Sequence, residues 1–266
     1  MFGVLQLNKS LNQNYTEGML NKVPEITAFF WITKLLTTGM GEVFSDYLAH
    51  IFNPIVAGGL TLIGLVVSLV LQLKARKYVP WIYWLLVTMV SVFGTMAADV
   101  IHVVLNVPYV VSTTFFIVSL IVIFVLWYKS EKSLSIHSVY TSKREKFYWA
   151  TVFATFALGT AAGDMTASTM HLGYFPSALL FTILLAIPAI GYWKFGFNEI
   201  FAFWFAYIMT RPVGASFSDW IGTSKAYGGL GIGKGPVSLV LTILIVIFVS
   251  YLTITRKDVK KDEAVA

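Results

Sequence analysis

The stretch FFWITKLLTTGMGEVFSDYL, residues 29 to 48, places Lys34, Glu42 and Asp46 in a segment apolar enough to enter a bilayer. Ionisable groups in such segments are costly to hold; they face a bundle interior or mark an ion or proton route. Three more apolar segments carry an aspartate: Asp99, Asp164 and Asp219. The remaining two aspartates, Asp258 and Asp262, lie near the C-terminus. Histidine follows three of the four segment aspartates: His50 after Asp46, His102 after Asp99 and His171 after Asp164. The first two spacings, four and three residues, put imidazole and carboxylate on one helical face. Carboxylates with a little imidazole suit Mn²⁺, Fe²⁺ or Zn²⁺; carboxylates alone suit Ca²⁺ or Mg²⁺. The expected metal ligands are therefore Asp46, Asp99, Asp164 and Asp219, with Glu42, His50 and His102 as auxiliary groups. Lys34 and Arg211, the two cations inside apolar segments, are expected as counter-charges, with joint anion binding as the alternative. Five acids against these two cations leave an excess of negative charge. A bound cation, protonation or incomplete burial must relieve it.

A second reading of the aspartates stands beside this one. Each precedes a short loop and a new helix, so each can accept hydrogen bonds from that helix's orphan N–H groups at the positive end of the dipole. Four such caps explain the repetition without a ligand. Asparagine in place of one aspartate separates the two readings, since it keeps much of a cap and removes the charge.

The elements that position these residues are transmembrane helices. The chain is 57% hydrophobic and 12% charged over 266 residues, unlike a soluble domain. Runs such as PIVAGGLTLIGLVVSLVLQL and VSTTFFIVSLIVIFVLW are long enough to cross a hydrocarbon core of about 30 Å. Without cysteine there is neither a disulfide framework nor a thiolate metal site. The net charge of +6 belongs to basic loops and does not point to nucleic acid. Residues 1–22 are polar, lack a secretory-signal pattern, and are expected to be a cytoplasmic segment.

Eight spans are expected, near 25–49, 54–73, 80–103, 108–128, 147–169, 176–193, 200–222 and 236–255. Fifteen of the nineteen Lys and Arg residues then fall on the side of both termini, against Lys225 and Lys234 on the other. By the positive-inside rule both termini are cytoplasmic. The membrane domain covers 23–256 and a cytoplasmic tail 257–266. The polar connection 129–146 is a loop and not a domain boundary, because spans on both sides share one pattern.

That pattern is an internal repeat. Trp31, Gly41 and Asp46 recur at identical spacing as Trp84, Gly94 and Asp99, as Trp149, Gly159 and Asp164, and as Trp204, Gly214 and Asp219. Each copy, about 25–73, 80–128, 145–193 and 199–255, is a two-helix hairpin whose second helix opens near a proline: Pro54, Pro108, Pro176 or Pro236. The glycines begin small-xxx-small pairs that allow close helix approach. The tryptophans fall near the cytoplasmic boundary, the usual place for interfacial rings. Fifteen helical residues span about 22 Å, so the four carboxylates share one depth toward the outer leaflet. Four parallel hairpins can surround a fourfold axis or form two pairs, and sequence does not choose.

The first and fourth repeats depart from the plain G-T-x-A-x-D of the middle two. In the fourth, Pro212 is expected to kink or unwind the span beside Arg211 and Ser216. GGLGIGKG at 228–235 resembles a phosphate-binding loop but is followed by no Ser or Thr at the required place and has no strand before it, so no nucleotide is expected. Glu25, Glu145 and Glu199 precede helix starts and complement their dipoles.

At TTGMGEVFSD, GTAAGDMTAS and TRPVGASFSDW the chain resembles a family of uncharacterised bacterial multi-pass membrane proteins described as membrane-anchored. The resemblance runs over about 22–255; it implies a bacterial inner-membrane location and brings no substrate. The expectation is an all-α bundle of eight spans from four tandem hairpins, acting as a divalent-cation transporter or binding protein. A proton-coupled carrier of another solute, or a non-transporting scaffold or sensor, are the alternatives. No enzyme is expected, because no nucleophile–base pair or metalloprotease motif is present. The expected partners are the lipid bilayer and a metal ion.

Overall fold

The computed structural model describes residues 21–259. Most of the expected N-terminal segment and tail, with Lys9, Lys260 and Lys261, therefore lies outside the described residues. The described residues form eight long helices and no strand: α1 (Ala28–Ile51), α2 (Pro54–Lys74), α3 (Pro80–Asp99), α4 (Tyr109–Glu131), α5 (Ser142–Asp164), α6 (Tyr174–Phe195), α7 (Glu199–Gly222) and α8 (Lys234–Thr255). One helix starts earlier than expected. The Thr141 side chain accepts from the Arg144 N–H and begins α5 at Ser142, inside the polar connection. Pro54 opens α2, Pro108 is the N-cap of α4, and Pro176 and Pro236 are third residues of α6 and α8. At none of these positions does the missing N–H cost an intrahelical bond. Pro212 does not unwind its span: α7 is helical throughout.

The odd-numbered helices build an inner ring, α1 against α3, α3 against α5, α5 against α7, and α7 back against α1. The repeat glycines show how the ring closes. A Cβ on Gly41 would run into Ser91, one on Gly94 into Phe156, one on Gly159 into Arg211, and one on Gly214 into Thr38. Ser91, Phe156, Arg211 and Thr38 are one repeat position, seven residues after the tryptophan. Each glycine thus receives the equivalent side chain of the next repeat, and the fourth receives that of the first. The arrangement is a closed pseudo-fourfold ring.

The even-numbered helices form an outer layer. Each packs on the inner helix of the following repeat: α2 on α3, α4 on α5, α6 on α7, and α8 on α1. They turn apolar side chains outward, with Ile63, Phe115, Ile183 and Leu239 each at least 60% exposed, as a lipid-facing surface requires. Among the described residues five helices are long and apolar enough to cross a membrane: Ile55–Lys74, Pro80–His102, Tyr109–Glu131, Tyr174–Phe195 and Lys234–Thr255. The other three, α1, α5 and α7, are inner helices, where polar groups are shielded by the outer layer.

The glycine contacts make a graded prediction. In Gly214→Ala the new Cβ lies 2.9 Å from the Thr38 Cβ and 3.0 Å from the Gly39 nitrogen; in Gly41→Ala it lies 2.9 Å from the Ser91 carbonyl carbon. Overpacking of this kind costs about 1–3 kcal/mol. Gly94→Ala, with its nearest contact at 3.2 Å, is expected to cost less. Gly58→Ala and Gly59→Ala on α2, with nothing within 4 Å, are expected to be neutral or slightly stabilising through helix propensity. Thermal unfolding in detergent checks the order; equal losses at Gly58 and Gly214 would contradict it.

Candidate cation site

The residue before each repeat tryptophan, and those three, seven, eleven and fifteen after it, are four apart and share a helical stripe. The four stripes stack into layers along the ring. Asp46, Asp99, Asp164 and Asp219 form the outermost layer. Beneath them lie Glu42, Thr95, Thr160 and Ala215, then Thr38, Ser91, Phe156 and Arg211. Lys34, Val87, Val152 and Tyr207 follow, and Phe30, Tyr83, Tyr148 and Phe203 close the far end. Every member is buried except Asp46, Asp99 and Asp164, which are part-exposed at the mouth.

Two of the four aspartates, Asp164 and Asp219, converge with Glu42, and Asp46 and Asp99 stand outside that close group. One carboxylate oxygen from each of Glu42, Asp164 and Asp219 lies within 4.8 Å of the other two, and Asp164 is also within electrostatic reach of Asp99 and Asp46. At an effective dielectric of about 20, two ionised carboxylates that close repel by about 3–4 kcal/mol. The mouth therefore favours a shared cation or proton.

Its floor is built on Arg211. Nη2 donates to Glu42 Oε2 at 2.6 Å, to Thr160 Oγ1 at 2.8 Å and to Thr95 Oγ1, while Nη1 reaches the Thr38 carbonyl at 3.3 Å. Thr95 in turn donates to Glu42 Oε2 at 3.2 Å. Glu42, Thr95 and Thr160 are one repeat position, so a single guanidinium from α7 ties together the other three inner helices. Of the two cations expected in the spans, Arg211 is the one that pairs with a carboxylate.

Several other expectations are corrected. Lys34 pairs with no carboxylate among the described residues: it is 1% exposed, its Nζ has no hydrogen-bond partner among them, and it lies over the Tyr207 ring at 3.6 Å and the Phe156 ring at 4.6 Å. The missing cation is Lys234. It pairs with Asp46 and lies 3.9 Å from Asp219. The glycine-rich loop delivers it. Leu230, Gly231, Ile232 and Gly233 donate backbone N–H groups to the carbonyls of Trp220, Thr223, Ile221 and Gly222, which folds the loop over the end of α7. Gly233, at φ +93°, then turns the chain into α8 with Lys234 as its first residue. Only glycine takes that conformation easily.

The histidines do not join the carboxylates. His102 uses both ring nitrogens, Nδ1 with the Val107 carbonyl at 3.0 Å and Nε2 with Ser112 Oγ at 3.2 Å. His50 is exposed at the end of α1, outside the close carboxylate group. The capping alternative also fails. Asn53 caps α2, while α4, α6 and α8 have no side-chain cap among the described residues. Three of the repeat tryptophans, Trp84, Trp149 and Trp204, are buried in an aromatic cluster between the inner helices, and Trp31 packs against it partly buried. Glu145 does more than complement a dipole. Fully buried, it pairs with Lys22 at 2.7 Å and accepts from Gln72 at 3.1 Å.

The family described as "Repeat of Unknown Function (DUF347)" matches the chain at residues 29–78, 82–133, 147–196 and 202–258. The chain belongs to this family. Its DUF347 units coincide with the four hairpins, so the repeat that the family defines is one inner helix followed by one outer helix. No curated protein and no solved structure matches the chain.

Tryptophan, glycine and aspartate mark each DUF347 unit in the sequence, but the buried polar groups between them lie outside that pattern. Thr95, Thr160 and the buried tyrosines stand on the same four-residue stripe as the aspartates. Following the stripe inward from each aspartate finds them.

Proposed function

We propose that this integral membrane protein carries a hard divalent cation, bound by Glu42, Asp164 and Asp219 with Asp99 beside them. The observation that supports this reading most is the convergence of carboxylates from three inner helices at a part-exposed mouth, with no lysine or arginine paired to Asp164 among the described residues. Glu42 spends Oε2 on Arg211 and Thr95, leaving Oε1 for a ligand. With both histidines outside the site, an all-oxygen set favours Mn²⁺, Mg²⁺ or Ca²⁺ over Zn²⁺. The proposal includes all eight helices as spans, the bacterial inner membrane as location, cytoplasmic termini and a non-enzymatic role. The orientation rests on the basic end that holds Lys22, Lys74, Arg76 and Lys77 opposite the acidic mouth.

Ligand saturation at about 100 times Kd stabilises a protein by about 2.7 kcal/mol, so Mn²⁺ is expected to raise the unfolding temperature of the detergent-solubilised protein. Asp164→Asn and Asp219→Asn are expected to abolish the shift. Asp46→Asn is expected to keep most of it, because Asp46 is already held by Lys234. No shift in the wild type with Mn²⁺, Mg²⁺ or Ca²⁺ would refute the reading.

A further inference from the structure

At the Arg211 floor and just beneath it the ring holds buried donors that the carboxylates do not use. Lys34 Nζ, Ser91 Oγ and Arg211 Nε lack hydrogen-bond partners among the described residues and occupy two successive layers of the axis. Unpaired buried donors are rare, and each costs about 1–3 kcal/mol. Three in adjacent layers, two of them on ionisable side chains, place unused polar groups on the axis beneath the acidic mouth.

The route continues to the opposite end. The Tyr207 hydroxyl interacts with that of Tyr148 through a side-chain hydrogen bond, and Tyr148 and Tyr83 share a hydrogen bond of 2.5 Å. The Tyr83 ring packs on Tyr78 with centroids 5.6 Å apart, and Tyr78 donates to Asp258 Oδ2 at 2.5 Å. Asp258 lies beyond the end of α8. Burial pushes its carboxyl above the usual carboxylate range, and the Tyr78 hydrogen bond pulls it partly back. From Glu42 to Asp258, the polar groups follow the ring axis and then its basic end.

We propose that this axis is a proton path, with Lys34 as the relay between the floor of the acidic mouth and the buried tyrosines. Its setting suits a relay. Arg211 and Lys234 are held by carboxylates, whereas Lys34 is held by the faces of Tyr207 and Phe156, which stabilise an ammonium without binding its protons. The ionisable groups around it are Tyr207 and Arg211 on α7, with Tyr148 of α5 and Tyr83 of α3 in the layer below. No carboxylate pairs with it among the described residues. In each step the amine takes one proton on its lone pair and later releases one. A tyrosine oxygen accepts a proton as it loses its own, so no charge stays behind. The proposal rests on the transport reading of the mouth and names protons as the coupling ion.

The test uses the full chain in proteoliposomes with an internal pH dye, under a potassium diffusion potential, with and without an Mn²⁺ gradient. Wild-type protein is expected to move protons in at least one arm. Lys34→Met is expected to bring that flux to the level of protein-free vesicles while keeping the Mn²⁺-dependent rise in unfolding temperature. Tyr207→Phe, which keeps the ring and removes the hydroxyl, is expected to lower the flux with little loss of stability. Wild-type flux without any Mn²⁺ binding supports the path and refutes the cation reading alone. Absence of wild-type flux in both arms overturns the path, and so does undiminished flux in folded Lys34→Met.

Discussion

Arg211→Met is expected to destabilise the folded protein by about 3–5 kcal/mol, the cost of leaving one partner of a buried ion pair alone. Arg211 is 0% exposed and Glu42 3% exposed, so water cannot replace the guanidinium. The substitution strips donors from Glu42, Thr160, Thr95 and the Thr38 carbonyl together. It therefore loosens α7 from α1, α3 and α5 at one level of the ring. The double variant Arg211→Met/Glu42→Leu removes both charges and is expected to recover much of the loss, since a buried pair is often replaceable by apolar side chains. Denaturation of the wild type, both single variants and the double variant gives the coupling energy. Additive losses would show that the arginine does not act through Glu42.

Lys22→Met is expected to have an effect of the same size, about 3–5 kcal/mol, at the opposite end. Among the described residues it leaves Glu145, which is 0% exposed, with the Gln72 amide as its remaining side-chain donor. The lysine also sits on a segment that ties the basic end of the bundle together. Lys22 N donates to the Val139 carbonyl at 3.1 Å, Tyr78 N to Asn21 at 3.0 Å, and Glu25 N to Asp258 at 2.9 Å. Loss of the ion pair is expected to open the connection around residues 129–146 to limited proteolysis before global unfolding. Lys22→Met/Glu145→Gln, which retires the charge but keeps an amide for hydrogen bonding, is expected to restore most of the stability. A fully stable Lys22→Met would show that this end is held by its backbone bonds alone.

The two ion pairs were unequally legible in the sequence. Arg211 and Glu42 stand in apolar runs, where a charge announces a partner. Glu145 stands in a polar helix start beside Lys143, Arg144 and Lys146, where nothing distinguishes a buried acid from a solvated one. The eight helices and four hairpins were legible because apolar runs and prolines are local signals. The common depth of the aspartates followed from helix rise alone. Whether four hairpins close into a ring was not, since the same glycine spacing serves a fourfold ring or two pairs. The decisive fact, that each glycine receives the side chain seven residues past the next repeat's tryptophan, exists only between helices.

The misassigned residues share one cause. His50 and His102 were placed by spacing along their own helix, but His102 turns to Val107 and Ser112 of its own hairpin. In the sequence Lys234 reads as a loop cation, because its route to Asp46 depends on four backbone hydrogen bonds across the end of α7. In each case the sequence gives position along an element and the neighbouring element decides the partner.

The central claim is that a closed ring of inner helices gathers carboxylates from separate repeats around one cation. An anomalous-scattering map of Mn²⁺-soaked crystals of the protein tests it most directly. The expected result is a single peak at the mouth, with oxygens of Glu42, Asp164 and Asp219 at about 2–2.6 Å from it. A map with those three carboxylates apart, and manganese absent or held elsewhere, would contradict it.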